Sequence, residues 1–427
     1  MNLSMIRYIA GWILSFEAAF LSLPCLIALL YREKEGIAFV AVLLVCLAIG
    51  LLLVWKKPKN TVFFAKEGFV SAALCWIIMS IFGALPFVLC GDIPSFTDAL
   101  FETISGFTTT GASILKDVES LSRCSMFWRC FTHWIGGMGV IVFLMTVLPL
   151  TGGSWIHLLR AESPGPSVGK LVPRMRHTAG ILYLIYLCMT IIEIVLLLFG
   201  GMNWFDAVTI SFGTAGTGGF SILNSGFVTY SSYVKIVVAV FMMLFGVNFN
   251  VYFLMLNRKF VQALRCEELR YYLMIIGIST LIITLNILSI CGSFGKALEE
   301  AFFQVSSIIT TTGFASADFN LWPQTSKTIL VLLMFIGACA ESTGGGIKVS
   351  RLVILIKTIR KELASIIHPR SVKKIKMEGK PVEHEVLRST NVFMITYVIL
   401  FAFSVLLISF NGFDLTTNFT AVAATLN

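Results

Sequence analysis

The chain has 427 residues, of which 57% are hydrophobic and 13% charged, with a mean hydropathy of +0.88. That is about half the charged share of a soluble domain and excludes an ordinary water-soluble enzyme or scaffold; it describes a protein that crosses a membrane several times. The net charge of +9 does not indicate nucleic acid, because it is sorted between short loops rather than gathered in one basic domain.

Nine apolar runs are long enough to cross a hydrocarbon core of about 30 Å at 1.5 Å per residue. They cover residues 8–31, 37–55, 68–90, 125–149, 178–200, 232–256, 271–291, 326–357 and 391–411. The first has the length of a signal peptide. No small-residue cleavage site follows, and a second apolar run begins at once, so it reads as an uncleaved span. Taking the runs as spans puts 24 Lys and Arg residues on the side of the N-terminus and 8 on the other. The positive-inside rule then makes the richer side cytoplasmic. The opposite side carries twelve acidic residues against eight in the cytoplasmic loops, which would raise cation concentration at an outer vestibule.

Between the third and fourth, fifth and sixth, and seventh and eighth runs lies a repeated signal. An acid and an alanine, Asp98-Ala99, Asp206-Ala207 and Glu300-Ala301, precede Gly111, Gly219 and Gly313, each acid by 13 residues. The glycine-bearing stretches are Thr108-Thr109-Thr110-Gly111-Ala112, Gly216-Thr217-Gly218-Gly219-Phe220 and Thr310-Thr311-Thr312-Gly313-Phe314. The spacing predicts a half-helix of about 11 residues and roughly 16 Å, reaching midway into the bilayer and ending at a Thr/Gly loop. Its C-terminal end carries about half a negative charge, which favours a cation. Irregular backbone is tolerated at that depth only where it lines a cavity or is buried in protein. Backbone carbonyls can replace the hydration shell of a cation without binding it irreversibly. Glycine permits the dihedrals that aim them. Candidate ion-binding residues are therefore Thr109, Thr110, Gly111, Thr217, Gly218, Gly219, Thr311, Thr312 and Gly313. After the ninth run, Asp414 to Asn427 begins a fourth half-helix. A fourth loop and a closing span would complete the pattern, so the chain reads as a shortened form of a longer protein.

The eighth run is interrupted by small residues over Ile336-Gly337-Ala338-Cys339-Ala340-Glu341-Ser342-Thr343-Gly344-Gly345-Gly346. Consecutive glycines cost about 1 kcal/mol each relative to alanine in a helix, so the helix should break at Gly344–Gly346. A phosphate-binding loop is disfavoured there, because no Ser or Thr follows Lys348 and no strand precedes the glycines. Glu341 could bind a cation or pair with a base. Glu17 and Glu193 lie within spans, and structural pairing or snorkelling is favoured over an ion path. Gly136, Gly137 and Gly139 suit close helix packing. Glu102 is expected to brace the first half-helix, with Arg129 as partner. The ten cysteines show no CxxC spacing and read as packing residues. Glu383-His384-Glu385 reads as a solvated loop rather than a metal site. The run Lys373-Lys374-Ile375-Lys376 suits anionic lipid or a regulatory partner and reads equally well as a solvated loop.

Several segments resemble the Trk/Ktr/HKT superfamily of potassium transporters: FETISGFTTTGAS (101–113), HWIGGMGVIVFLMTVLP (133–149), RAESPGP (160–166), AGTGGFS (215–221), AFFQVSSIITTTGFAS (301–316), STGGGIKVSRL (342–352) and TAVAATLN (420–427). The two spans before the first pore unit favour the membrane subunits of bacterial Trk systems over shorter relatives. The resemblance implies an all-α polytopic membrane protein, with pseudo-fourfold repeats of M1–pore helix–M2 around one ion pore and two extra N-terminal helices. The corresponding segments would be 1–66 for the two extra helices, 67–177, 178–270 and 271–388 for three pore repeats, the last with its gate loop, and 389–427 for an incomplete fourth. It implies potassium uptake across the bacterial cytoplasmic (inner) membrane, K⁺ at the nine filter residues, and an intramembrane gate at residues 340–346, where Glu341 replaces an expected small residue. It further implies a homodimer and a cytoplasmic nucleotide-binding regulatory ring of TrkA type, with no organic cofactor and no enzymatic chemistry. The rival is an ion-coupled carrier, a K⁺/H⁺ or K⁺/Na⁺ symporter with alternating access. The repeats share one membrane orientation, which disfavours inverted-repeat carriers.

Overall fold

A computed structural model of the chain describes residues 2–58, 65–147, 175–368 and 374–427. The RAESPGP segment at 160–166 and Lys373 lie outside the described residues. The chain divides into two compact units, Met1–Gly226 and Phe227–Asn427.

The first unit is entirely helical among its described residues. It comprises α1 (Leu3–Tyr31), α2 (Gly36–Val54), α3 (Ala65–Cys90), α4 (Phe96–Phe107), α5 (Arg123–Val147), α6 (Met175–Phe199) and α7 (Trp204–Ala215). Helices α1 and α2 form an antiparallel pair, and α5 packs against both short helices, α4 and α7. The second unit holds α8 (Ser232–Phe245), α9 (Phe249–Leu256), α10 (Phe260–Leu264), α11 (Glu267–Cys291), α12 (Phe294–Ile309), α13 (Gln324–Ile336), α14 (Val349–Ile367), α15 (His384–Ser409) and α16 (Leu415–Leu426). A two-residue hairpin pairs Lys376–Met377 with Lys380–Pro381 between α14 and α15. Among the described residues six helices are long and apolar enough to cross a membrane, and the bent pair α8–α9 makes a seventh if taken as one span. Their outward faces carry exposed leucine, isoleucine and valine, such as Leu52, Ile395 and Val398. Lipid contact explains such faces in a chain of this hydropathy.

Two of the apolar runs are broken, one of them unexpectedly. The run 232–256 bends by 89° between α8 and α9. Gly246 lies at the bend because an added Cβ would sit 2.3 Å from the Tyr272 hydroxyl and 2.8 Å from Thr310 Cγ2. The run 326–357 does break, but at Gly337 rather than at Gly344–Gly346, and helix resumes only at Val349. Gly337 takes a φ of +73°, and a side chain there would strike the Gly345 carbonyl at 2.4 Å. The break therefore starts where two backbone segments touch.

The half-helices form as the spacing predicts, with one difference. Helices α4, α7 and α16 are each 12 residues long, and α12 has 16. Ser95, Asn203 and Asp414 cap the three short ones, accepting from the backbone N–H of Asp98, Asp206 and Thr417. Asp98 and Asp206 then stand in the first turn, where the helix dipole favours an anion. Glu300, the third acid of the repeat, sits mid-helix because α12 starts a turn earlier. It accepts from Lys235 Nζ at 3.0 Å and from the Ser316 hydroxyl.

Glu102 and Arg129 pair as expected, at 2.5 Å, with both side chains almost fully buried. Glu102 also accepts from the Ser113 hydroxyl and the Ile114 N–H, which fastens the end of the first loop back onto α4. Glu17 and Glu193 depart from expectation. Both are buried, so neither snorkels to the interface, and neither forms an ion pair among the described residues. Each helix turns its acid inward against neighbouring helices, a packing direction that hydropathy does not encode. Glu383-His384-Glu385 is exposed but opens α15 instead of lying in a loop. Six of the ten cysteines are buried as packing residues.

Removing one member of a buried ion pair leaves an uncompensated charge and typically costs about 3–5 kcal/mol. Arg129→Met should therefore lower the thermal midpoint of the detergent-solubilised protein sharply. Adding Glu102→Gln should recover much of the loss, and additive losses would argue against coupling.

Candidate ion pathway

Each of the three half-helices that run into a described Thr/Gly loop ends in the same way. In α4, the Thr109 N–H donates to the Gly106 carbonyl at 3.1 Å and the Thr110 N–H to the Ser105 carbonyl at 2.9 Å. In α7, Thr217 donates to Thr214 at 3.0 Å and Gly218 to Gly213 at 2.9 Å. In α12, Thr311 donates to Ile308 at 3.1 Å and Thr312 to Ser307 at 2.9 Å. This paired closure is the Schellman motif, whose left-handed position is usually glycine. Here it is threonine, with φ of +55° at Thr109, +51° at Thr217 and +59° at Thr311. Two residues later the glycine is left-handed too, at +74° for Gly111, +80° for Gly219 and +88° for Gly313.

A β-branched residue in the left-handed region is a genuine outlier and costs on the order of 1–3 kcal/mol. Three such residues at one register position mark a backbone shape held by its surroundings. The Thr217 hydroxyl donates to the Gly216 carbonyl at 2.7 Å, and the Thr311 hydroxyl to the Thr310 carbonyl at 2.6 Å. Sequence reasoning placed the conformational demand on the glycines alone. The matching demand on threonine left no compositional sign, since threonine there also suits a coordination role.

In the first unit, α5 lies against both loops. A Cβ on Gly136 would sit 2.2 Å from the Phe107 carbonyl oxygen and 2.9 Å from Thr109 Cγ2, and one on Gly137 would sit 2.6 Å from Gly216 Cα. These glycines do permit close packing, Gly136 against the end of α4 and its loop, Gly137 against Gly216 and the Tyr186 hydroxyl of α6, and Gly139 against the Trp76 ring of α3. The loops that follow are clasped at their outer ends. The Asn224 amide donates to Asp117 at 2.7 Å, and the Asn224 N–H donates to Glu119 at 2.9 Å. The hydrogen bond from Asn224, reinforced by the Glu119 N–H, holds the Asp117 carboxyl below its usual range.

In the second unit the segment 337–348 is wound against the third loop. The Gly345 N–H donates to the Thr311 hydroxyl at 2.7 Å, and a Cβ on Gly344 would sit 2.9 Å from the Thr310 carbonyl oxygen. The Gly346 N–H donates to the Asn427 carbonyl at 3.1 Å. Gly344 and Gly345 therefore exclude side chains because Thr/Gly-loop and helix-end backbone abut them. The bend between α8 and α9 supplies partners for the same segment. Cys339 N–H donates to the Gly246 carbonyl at 3.0 Å, Phe249 N–H to the Glu341 carbonyl at 3.1 Å, and the Asn250 amide to the Glu341 carboxylate. Glu268 on α11 accepts from the N–H of Ala340 at 2.7 Å and of Ser350 at 3.0 Å, holding both flanks of the segment. Lys348 Nζ turns back to the Gly344 carbonyl. Glu341 itself adopts a φ of +54°, a conformation suited to glycine. Glu268 and Asn250 were not singled out by sequence, because nothing in their spacing reveals partners 72 to 91 residues away.

Capped half-helices ending in strained Thr/Gly closures between long apolar helices define a polytopic helical membrane protein of the ion-transporter class. The model of the TrkH family, described as a cation transport protein, matches residues 35–427, and the chain belongs to that family. It is 35% identical over 438 residues to the Trk system potassium uptake protein TrkH of Escherichia coli K12, covering 100% of this chain and 90% of that one. Identity to the TrkH of Vibrio parahaemolyticus is 36%, over 99% of this chain and 89% of the relative. The crystal structure of the potassium transporter TrkH from Vibrio parahaemolyticus superimposes with a TM-score of 0.89 at 32% identity, covering 100% of this chain and 90% of that one.

Gly218 and Gly313 demand glycine for different reasons. Gly218 has ordinary φ but would place a Cβ 2.3 Å from the His133 ring, whereas Gly313 has open space and a φ of +88°. Gly313→Ala should cost about 1–2 kcal/mol of local strain, the left-handed penalty of an L-residue. Gly218→Ala should cost more, because rigid neighbours must move. Equal losses of thermal stability in the two variants would refute this division.

Proposed function

We propose that this chain conducts potassium into the bacterial cell across the cytoplasmic membrane, as the pore-forming subunit of a Trk-type uptake system. The observation that carries the proposal is the left-handed Thr and Gly pair repeated at Thr109/Gly111, Thr217/Gly219 and Thr311/Gly313. Such alternation turns successive carbonyls in a way regular helix cannot, and carbonyl oxygens replace water around a cation. The proposed ion ligands are the backbone of Thr109–Gly111, Thr217–Gly219 and Thr311–Gly313. Three pore repeats and an incomplete fourth, with the boundaries given by the sequence, follow from this reading. So do a cytoplasmic N-terminus, a homodimeric assembly and a TrkA-type nucleotide-binding partner on the basic cytoplasmic face. The chain's role is transport, with no covalent step.

Flux of ⁸⁶Rb⁺ into proteoliposomes tests the filter. Gly111→Ser, Gly219→Ser and Gly313→Ser should each reduce the Rb⁺ over Na⁺ ratio by about tenfold, since each costs on the order of one strained residue's free energy. Unchanged ratios in all three would sink the assignment.

The segment Ala340–Gly346 is proposed as the gate. Its glycines abut the third Thr/Gly loop, and its only long acidic side chain, Glu341, is tied to Asn250 at the bend of α8 and α9. Opening must break that tie. Glu341→Ala and Asn250→Ala should each raise unstimulated Rb⁺ flux about threefold to tenfold, on the scale of one charge-assisted hydrogen bond. The double variant should add little to either. Independent, multiplying increases would show that the two residues do not act as a latch.

A further inference from the structure

We propose that His133 is the positioning residue of the second Thr/Gly segment and thereby sets the pore's discrimination between K⁺ and Na⁺; this rests on the filter reading above. His133 belongs to α5 and is fully buried. Its imidazole stacks on the Phe220 ring with centroids 4.0 Å apart and planes 18° from parallel. Its Nδ1 accepts the Phe220 N–H at 3.5 Å. Phe220 directly follows Gly219, so this bond fixes the exit of the strained segment. Ring atoms Nδ1, Cγ and Cε1 fill the space where a Gly218 Cβ would lie, at 2.3–2.6 Å, and the His133 carbonyl oxygen lies 2.2 Å from the corresponding point on Gly216. One residue thus touches the segment at its start, middle and end.

A second set of contacts makes the clamp two-sided. The Arg129 guanidinium, one turn earlier on α5, lies 3.7 Å from the Phe220 centroid. It and the imidazole cannot stand over the same face at these distances, so the phenyl ring is held between them. Arg129 is itself fixed by Glu102 on α4 and donates to the Ser221 carbonyl at 2.9 Å. The first half-helix, α5 and the second Thr/Gly segment are therefore one mechanical unit. Because Nδ1 accepts, the ring proton of the neutral imidazole belongs on Nε2. Among the described residues Nε2 has no hydrogen-bond partner.

Selectivity between ions of like charge depends on holding carbonyl oxygens in place or on their number and field, and both are disturbed when a segment relaxes into a void. A residue that merely fills volume would change stability and leave the ion ratio alone. The test measures ⁸⁶Rb⁺ and ²²Na⁺ uptake in proteoliposomes, together with monodispersity and thermal midpoint. His133→Phe keeps the ring and loses the acceptor; His133→Asn keeps an acceptor near the Nδ1 position and loses the stack; His133→Ala loses both. The Rb⁺/Na⁺ ratio should fall about fivefold to tenfold in His133→Phe, the scale of one buried N–H left unpaired. It should fall further in His133→Ala and be partly restored in His133→Asn. Gly219→Ser serves as reference. If it shifts the ratio while folded His133→Ala and His133→Phe do not, the His133 inference is overturned and the filter reading stands. If neither shifts the ratio, the filter reading itself fails. Should His133→Ala not fold, the Phe and Asn variants decide alone, and equal ratios in both and in the unmodified protein overturn the proposal.

Discussion

Backbone that leaves the helical ladder inside a membrane finds no water to satisfy its N–H and C=O groups, and each must be paired within the protein or face a cavity. Everything distinctive in this chain follows from how that constraint is met at the ends of short helices. Three of them close with the same two hydrogen bonds and put threonine, a residue ill suited to it, in the left-handed region. The strain persists because neighbouring helices leave no room for relaxation. In the first unit the restraint is α5, pressed against both loops through Gly136, Gly137 and His133. In the second it is the segment 337–348, which reaches Thr310 and Thr311 directly.

The two broken spans of the second unit solve the problem jointly. The bend at Gly246–Asn248 frees backbone groups, and so does the long interruption after Ile336. The groups freed by one break pair with those freed by the other: Cys339 with Gly246, and Phe249 with Glu341. Glu268 supplies what remains, as one carboxylate serving two backbone donors. Glu341 is the one large side chain where glycines otherwise dominate, and its left-handed backbone is accepted because its carbonyl and carboxylate both find partners on α9.

Much of this was legible in residues alone. Apolar length gave the spans of α1, α2, α3, α6, α11 and α15, because hydropathy over about 20 residues is a nearly sufficient condition for a membrane helix. The fixed distance from acid to glycine located the half-helix ends, and Arg129 was named as a partner for Glu102, though only the structure shows the buried pair. The bend after Phe245 stayed hidden, since one glycine in an apolar run is common and the Tyr272 and Thr310 groups that crowd it come from distant helices. The start of the eighth-run break was misplaced for the same reason. Intrinsic propensity points to three consecutive glycines, but tertiary contact ends the helix at Gly337. Glu17 and Glu193 were read as paired or snorkelling because sequence does not say which way a lone acid faces.

By itself the sequence determined the membrane class, the repeated half-helix with its Thr/Gly stop, and the family to which the chain belongs. Those features are local: they depend on hydropathy, capping residues and the conformational freedom of glycine. Only the tertiary structure decided that threonine shares the left-handed strain, that His133 and Arg129 grip Phe220, and that Glu268 and Asn250 hold the interrupted helix. Each of these joins residues far apart in the chain, and their meeting depends on which helix faces are turned toward one another. Apolar surfaces of similar composition leave that choice open until the helices have packed.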